Sequence, residues 1–411
     1  MQPTCIEARA SVTTPHALAA WTAAALLAAS LFSHTVALRL TLLLAGALLC
    51  AWVIARERDV FALPPIWFPF VLWAAWAALS IAWSEDPARS AKEFRNEFGY
   101  TGFALWIGFI AGQARNAVPV VPVVVGLAAA GACAIALYSF QLGPEAYPYG
   151  LHGGSGNHSS TLLVLMPCAA LAAWYGLRAD PSRATTSVAA GLMLLFLASA
   201  YTTLNRTVWL GFAAQAVLIV ALLAIARGST WQRRTKVALA GIALLAIAAG
   251  SAMTLFVHGE RVDAGAPAAF ERDPRTTIWP ESLELISERP LAGHGVGRGL
   301  LRSTLRSQSG DPVAWHSHNL FLEALLQTGV PGLALLVLLL GATVWQAWRL
   351  LRSGDELALA CGIALAAVVL GMLVRNMTDM LWVRHNALLY WGVVGVLLGI
   401  GMARRVRPFG R

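Results

Sequence analysis

Apolar runs of roughly 15 to 21 residues recur along the whole chain, close to the length needed to cross about 30 Å of hydrocarbon as helix. In lipid every backbone N–H and C=O must be satisfied within its own segment, so such runs are helices. The expected fold is all-α and polytopic, with about twelve transmembrane helices over 17–32, 40–54, 66–83, 98–111, 118–140, 160–177, 188–201, 208–226, 237–257, 320–348, 357–373 and 387–402. Composition agrees: 58% of residues are hydrophobic and only 12% charged, against about 25% charged in an average soluble domain. The first run, with few basic residues before it and further spans behind it, reads as a retained span and not a cleaved signal.

A formal charge of +9 invites nucleic acid as a partner, but its distribution excludes that. Sixteen Lys and Arg residues, among them Arg56, Arg58, Arg227, Arg233 and Arg404, fall in one set of short loops and termini. Seven, namely Arg39, Arg89, Lys92, Arg95, Arg206, Arg375 and Arg384, fall in the opposite set. The bias is the positive-inside signal and places both termini in the cytoplasm. Five dispersed cysteines indicate neither a disulfide framework nor a metal site.

The chain thus divides into spans one to nine (1–258), a large outer loop (259–319) and spans ten to twelve (320–411). Over 276–288 the loop predicts a short helix with Pro280 in its first turn and an apolar side of Leu283, Leu285 and Ile286 suited to a membrane surface. Gly293-His294-Gly295-Val296-Gly297-Arg298-Gly299 follows no strand, which rules out a dinucleotide loop; an anion nest of backbone N–H groups stays open. The stretch 84–97 has charges spaced for an amphipathic surface helix with internal pairs. The stretch 141–159, with Pro144, Pro148 and paired glycines, reads as a mobile outer loop.

Chemistry-bearing residues gather on the outer side. His316 and His318 precede an apolar helix that begins beside Asn319, with Glu323 in its first turn. The bland reading is a cap, since Asn is a good N-cap; the functional one is a neutral imidazole acting as general base. Zinc on His294, His316 and His318 is disfavoured by their spacing and the lack of cysteine. Arg206, in Leu204-Asn205-Arg206-Thr207-Val208-Trp209, either snorkels to the interface or binds phosphate through its forked guanidinium. Arg275, with Arg206, Arg298 and Arg302, offers cations to one diphosphate. Arg375 and Asp379, four apart at the end of a span, read as a structural pair.

Three motifs carry a resemblance: Arg206-x-x-Trp209-Leu210; Arg275-x-x-x-Trp279 with Arg289-Pro290-Leu291-x-Gly293-x-Gly295-x-Gly297; and His318-Asn319-x-x-Leu322-Glu323 before Gly329-x-Pro331-Gly332. In order and spacing they resemble the O-antigen ligase family, which also includes O-antigen polymerases and protein O-oligosaccharyltransferases. The match is best from about Asn205 to Gly332; where the family has Asn-Pro-Asn, this chain has Asn157-His158-Ser159.

The resemblance implies a GT-C-like, metal-independent glycosyltransferase of the bacterial inner membrane with a periplasmic active site and no cofactor. The donor would be a glycan on undecaprenyl diphosphate and the acceptor a sugar hydroxyl of lipid A-core. His318 would be the general base and Arg206 and Arg275 the diphosphate binders, with Arg298, Arg302, His316, Asn319 and Glu323 in support. Displacement at the anomeric carbon would invert it. The nearest rival is a polymerase acting on the same donor; a lipid-linked sugar or anion transporter is disfavoured because the polar groups crowd one side and no repeat is evident.

Overall fold

The computed structural model describes residues 15–142, 151, 154–179, 182–227, 233–259, 275–309, 314, 316–380 and 384–406. The helices are α1 (Pro15–Ala29), α2 (Val36–Arg56), α3 (Trp67–Leu79), α4 (Pro87–Phe94), α5 (Tyr100–Gly112), α6 (Ala117–Gln141), α7 (Gly154–Ala179) and α8 (Arg183–Thr202). They continue as α9 (Arg206–Arg227), α10 (Arg233–Gly259), α11 (Arg275–Glu288), α12 (Arg302–Ser309), α13 (Leu320–Leu351), α14 (Glu356–Asn376) and α15 (Arg384–Val406). Among the described residues the sole extended pairing is one isolated bridge, Phe32 to Leu151.

A helix stands at each of the twelve expected spans. Among the described residues seven helices, α2, α6, α8, α9, α13, α14 and α15, are long and apolar enough to cross a membrane. Exposed side chains such as Leu48, Phe68, Leu127, Leu194 and Leu245 make an outward apolar surface, as expected of helices whose solvent is lipid. Most of the stretch 141–159 and the start of the outer loop, 260–274, lie outside the described residues.

Packing between helices rests on small residues and buried amides, as membrane bundles require. On α5, Gly108-x-x-x-Gly112 meets Gly395-x-x-x-Gly399 on α15. A Cβ added at Gly108 would lie 2.4 Å from the Gly392 carbonyl oxygen, and one at Gly395 2.3 Å from that of Leu105. Backbone therefore touches backbone, which holds these two helices together. Gln215 of α9 donates from Nε2 to the carbonyls of Leu163 on α7 (2.7 Å) and Ala367 on α14 (3.0 Å).

The long helix α13 breaks at Gly329, whose φ of 65° and ψ of −171° are not helical. That break leaves carbonyls without their helical donors, and the outer loop and α3 supply replacements. His294 N–H donates to Leu326 O (2.8 Å), Gly295 N–H to Gln327 O (2.9 Å) and the Trp76 indole to Thr328 O (2.8 Å). In return Val330 N–H donates to Pro290 O (2.8 Å). The alternating glycines are explained by backbone geometry: Gly293, Gly295, Gly297 and Gly299 all have positive φ, between 66° and 138°, a region that disfavours any Cβ.

This corrects the anion-nest reading. The N–H groups of Gly293, His294 and Gly295 bond carbonyls, that of Val296 bonds Ser80 Oγ (3.0 Å), and that of Gly297 bonds Gln327 Oε1 (3.1 Å). Five successive donors face protein acceptors, so the loop is a brace for the broken helix.

Two other expectations change. The 276–288 helix exists as α11, but Ile278 and Leu285 pack on Leu305 and Leu326 of the protein, while Leu283 and Leu291 stay exposed. The stretch 84–97 forms α4 followed by a π-helical turn, Arg95–Gly99. Its charges do not simply pair internally: Arg89 donates to Arg298 O (3.2 Å) and Glu93, buried, accepts from Arg384 (2.9 Å).

Candidate active site

The segment His316 to Asn319 is held at both ends. Asn319 caps α13, its Oδ1 accepting from the N–H groups of Phe321 (2.9 Å) and Leu322 (3.2 Å), and its Nδ2 donates to Met377 O (3.1 Å). Glu323 reaches back so that its Oε2 accepts the Ser317 N–H (2.9 Å), while Oε1 accepts from Gln327 (2.9 Å). Trp279 of α11 donates to Ser317 O (3.0 Å). Between these anchors His318 takes a φ of 52°, a region a residue with a Cβ occupies only when its surroundings over-determine it. The capping reading of Asn319 is therefore correct, and it serves to aim His318.

The two histidines differ. His316 is buried, its Nδ1 accepts the His318 N–H (2.9 Å), and its Nε2 meets the Arg298 guanidinium. Burial, then the Arg298 charge, push its pKa down to about 2. With both ring nitrogens engaged it has no lone pair to offer. His318 is the opposite case. Its Nδ1 lies 3.3 Å from Asp379 Oδ1, and its Nε2 is buried with no hydrogen-bond partner. With the proton on Nδ1, shared with the carboxylate, Nε2 carries the open lone pair, the arrangement of a general base oriented by an acid.

Asp379 has a second contact that sequence reasoning missed. Its pairing with Arg375 exists, Nη2 to Oδ2 at 3.1 Å, but the other oxygen faces His318 and also accepts the Met380 N–H (2.7 Å). Burial alone would raise its pKa. The His318 hydrogen bond and the Arg375 charge outweigh it and hold the carboxyl well below the usual range. No spacing rule pairs 318 with 379; the signal available was that both sit at outer ends of neighbouring spans.

Arg275 and Arg298 reach this place by their own contacts, and Arg206 is brought near it by its chain neighbour. Arg206 opens α9 behind a tight turn in which Asn205 Oδ1 accepts the Thr207 N–H (3.0 Å). Thr207 Oγ1 in turn lies 3.3 Å from Arg375 Nη1. Arg275, at the start of α11, donates from Nε to Thr378 O (3.0 Å), beside Asp379 and within reach of the Arg375 charge. Arg298 meets His316, and burial pulls its pKa down while Asp379, Glu323 and Glu97 pull it back up. Arg302 is exposed at the first position of α12. His294 stands apart, bonded to Leu285 O (3.0 Å) and Glu85 (3.2 Å).

The ligating atoms of His316, His318 and Asp379 lie within 4.8 Å of one another, close enough for a metal ion. Arg298 on His316 and Arg375 on Asp379 already place two guanidinium groups against that trio. A divalent cation there would have to displace or tolerate both.

No curated protein matches the chain. Residues 190–337 match the family model described as O-Antigen ligase; that stretch holds Arg206, Arg275 and the His316 to Glu323 segment, while Asp379 lies beyond it. The match takes in the broken helix and its brace, so over 190–337 the chain is similar to the O-antigen ligase family.

Proposed function

We propose that the protein transfers a glycan from undecaprenyl diphosphate to a sugar hydroxyl of lipid A-core, on the periplasmic face of the bacterial inner membrane. It crosses that membrane twelve times with both termini in the cytoplasm. The observation that carries this reading is the buried, unpartnered Nε2 of His318, with Asp379 on the other ring nitrogen. The acceptor oxygen attacks the anomeric carbon as Nε2 removes its proton. The bond from that carbon to the diphosphate oxygen breaks, and the carrier leaves as the free diphosphate with the anomeric centre inverted.

A diphosphate is already a good leaving group, so the protein has only to offset its growing charge. Arg206 and Arg275 do so as preorganised cations, supported by Arg298 and Arg375. Each charge-assisted hydrogen bond contributes about 1.5–3 kcal/mol, so no metal is required by the chemistry.

The test is purified protein with lipid-linked glycan and lipid A-core, without nucleotide and with chelator present. Glycosylated lipid A-core supports the proposal. Elongated lipid-linked glycan would instead identify a polymerase, and glycan found on a protein would identify an oligosaccharyltransferase.

A further inference from the structure

Towards the other end of the bundle from His318, α6, α7, α14 and α15 part around a cavity of about 240 Å³. Chain direction fixes its place. α14 leaves the cavity at Leu357 and Cys361 and ends at Arg375, beside Asp379; α15 starts at Arg384 and reaches the cavity only with its second half, at Leu397 and Ile400. Small residues on facing helices keep the space open: Gly126 on α6, where an added Cβ would meet nothing within 4 Å, and Ala172 and Gly176 on α7. Val123, on the wall, is exposed, so the cavity opens sideways into the lipid-facing surface.

Its lining suits a hydrocarbon. No charged side chain faces it, and the thiols of Cys168 and Cys361 are the sole side-chain groups there that are not hydrocarbon. An apolar cavity of about 150 Å³ stays dry and takes benzene, so this larger one has room for a longer chain. Along α6 it runs from Val118 to Ala129, roughly 16 Å at about 1.5 Å per residue. That is close to half of the ~30 Å hydrocarbon thickness, the depth of a single leaflet.

The rim at the end away from His318 is basic. Arg115, exposed, stands just before α6, and Arg404 lies one helical turn beyond Ile400 on α15. The acidic groups at the start of α14 are already engaged: Glu356 pairs with Arg227 (2.7 Å), and Asp355 accepts the Ala358 N–H (2.8 Å). A cationic rim above a dry apolar slot complements an anionic headgroup on an acyl chain.

We propose that this cavity holds one acyl chain of an anionic phospholipid from the leaflet away from the candidate active site, with its phosphate against Arg115 and Arg404. Depth selects that occupant: the slot matches a fatty acyl chain, whereas the polyprenyl tail of the proposed donor is far longer than one leaflet and carries its diphosphate to the opposite face. Once filled, the slot gives α6 and α7 the packing that their small residues withhold.

The test is native mass spectrometry of the full-length protein, stripped in detergent and then offered phosphatidylglycerol, phosphatidylcholine with the same chains, or undecaprenyl phosphate. Wild type should retain one phosphatidylglycerol, and Arg115→Gln and Arg404→Gln should each weaken its binding about 5-fold. Gly126→Leu fills the slot from a position with open space and should lose this lipid; Gly341→Leu, equally open but on α13 away from the cavity, should keep it. In wild type, phosphatidylglycerol with a photoreactive group at its chain end should label α6 and α7 along the cavity. The proposal is overturned if Gly126→Leu keeps the lipid, if phosphatidylcholine or undecaprenyl phosphate binds as tightly, or if the photolabel falls elsewhere. No arm depends on transfer, so an inactive protein would count against the proposed function alone.

Discussion

Asp379 Oδ1 lies 3.3 Å from His318 Nδ1, while Asp379 Oδ2 is held at 3.1 Å by Arg375. One carboxylate thus links a fixed cation to a proton acceptor. Asp379→Asn keeps the shape but no longer forces the proton onto Nδ1. Its kcat should fall by on the order of 10²- to 10⁴-fold, the usual worth of a general base, with donor KM little changed. His318→Gln should fall as far, and the double variant no further, because the pair acts as one unit. Additive losses would separate the two residues.

The neighbouring ring predicts a pH result. His316, lowered to about 2, charges only once the pH falls that far. Asp379, held below the carboxylate range, stays ionised until the pH drops through its depressed value. Between about pH 5 and 8, the usual histidine window, neither changes charge. His316→Gln should lower the rate without altering the shape of the pH–rate profile there. A limb that vanishes with His316 would assign the proton transfer to that ring.

For the arginines the expected signature is in binding. Arg206→Ala and Arg275→Ala should each raise donor KM by about 10- to 100-fold, from about 1.5–3 kcal/mol per charge-assisted contact. The KM for lipid A-core should hardly move. Equal effects on both substrates would argue that these residues shape the fold and not the diphosphate site.

The break in α13 can be tested by stability. A Cβ at Gly329 would stand 2.2 Å from Leu291 O on a backbone with φ of 65°, a conformation close to glycine-only, where strain costs of order 1–3 kcal/mol. Gly341 in the same helix has nothing within 4 Å. Gly329→Ala should lower the unfolding temperature in detergent clearly, and Gly341→Ala should leave it the same or slightly higher.

Added zinc should inhibit. The His316, His318 and Asp379 atoms are close enough to seize an ion, and doing so would occupy the lone pair the base needs. Chelator should restore the rate; activation by zinc would reverse the mechanism.

The helices were legible because their period is local and lipid enforces it. The role of Gly293 to Gly297 was not, because its acceptors at Leu326 and Gln327 become available only once α13 has broken at Gly329. Asp379 was concealed by a correct but incomplete pairing: its spacing from Arg375 accounts for one oxygen and says nothing of the other. Glu93 and Arg89 likewise have partners about two hundred or more residues away, Arg384 and Arg298. His318, Arg206 and Arg275 could be singled out because an imidazole or guanidinium beside lipid is conspicuous wherever it pairs.

Since the amides of Gly293 to Gly297 are turned towards the protein, the proposed recognition of a headgroup rests on side chains rooted on separate pieces: Arg206 on α9, Arg275 on α11, Arg298 on the loop and Arg375 on α14. Their mutual spacing follows the tilt of the helices that bear them, and tilt answers to bilayer thickness. Capture of the carrier lipid should accordingly be strongest in a host membrane of matching depth, and reconstitution into bilayers of graded chain length would read that dependence directly.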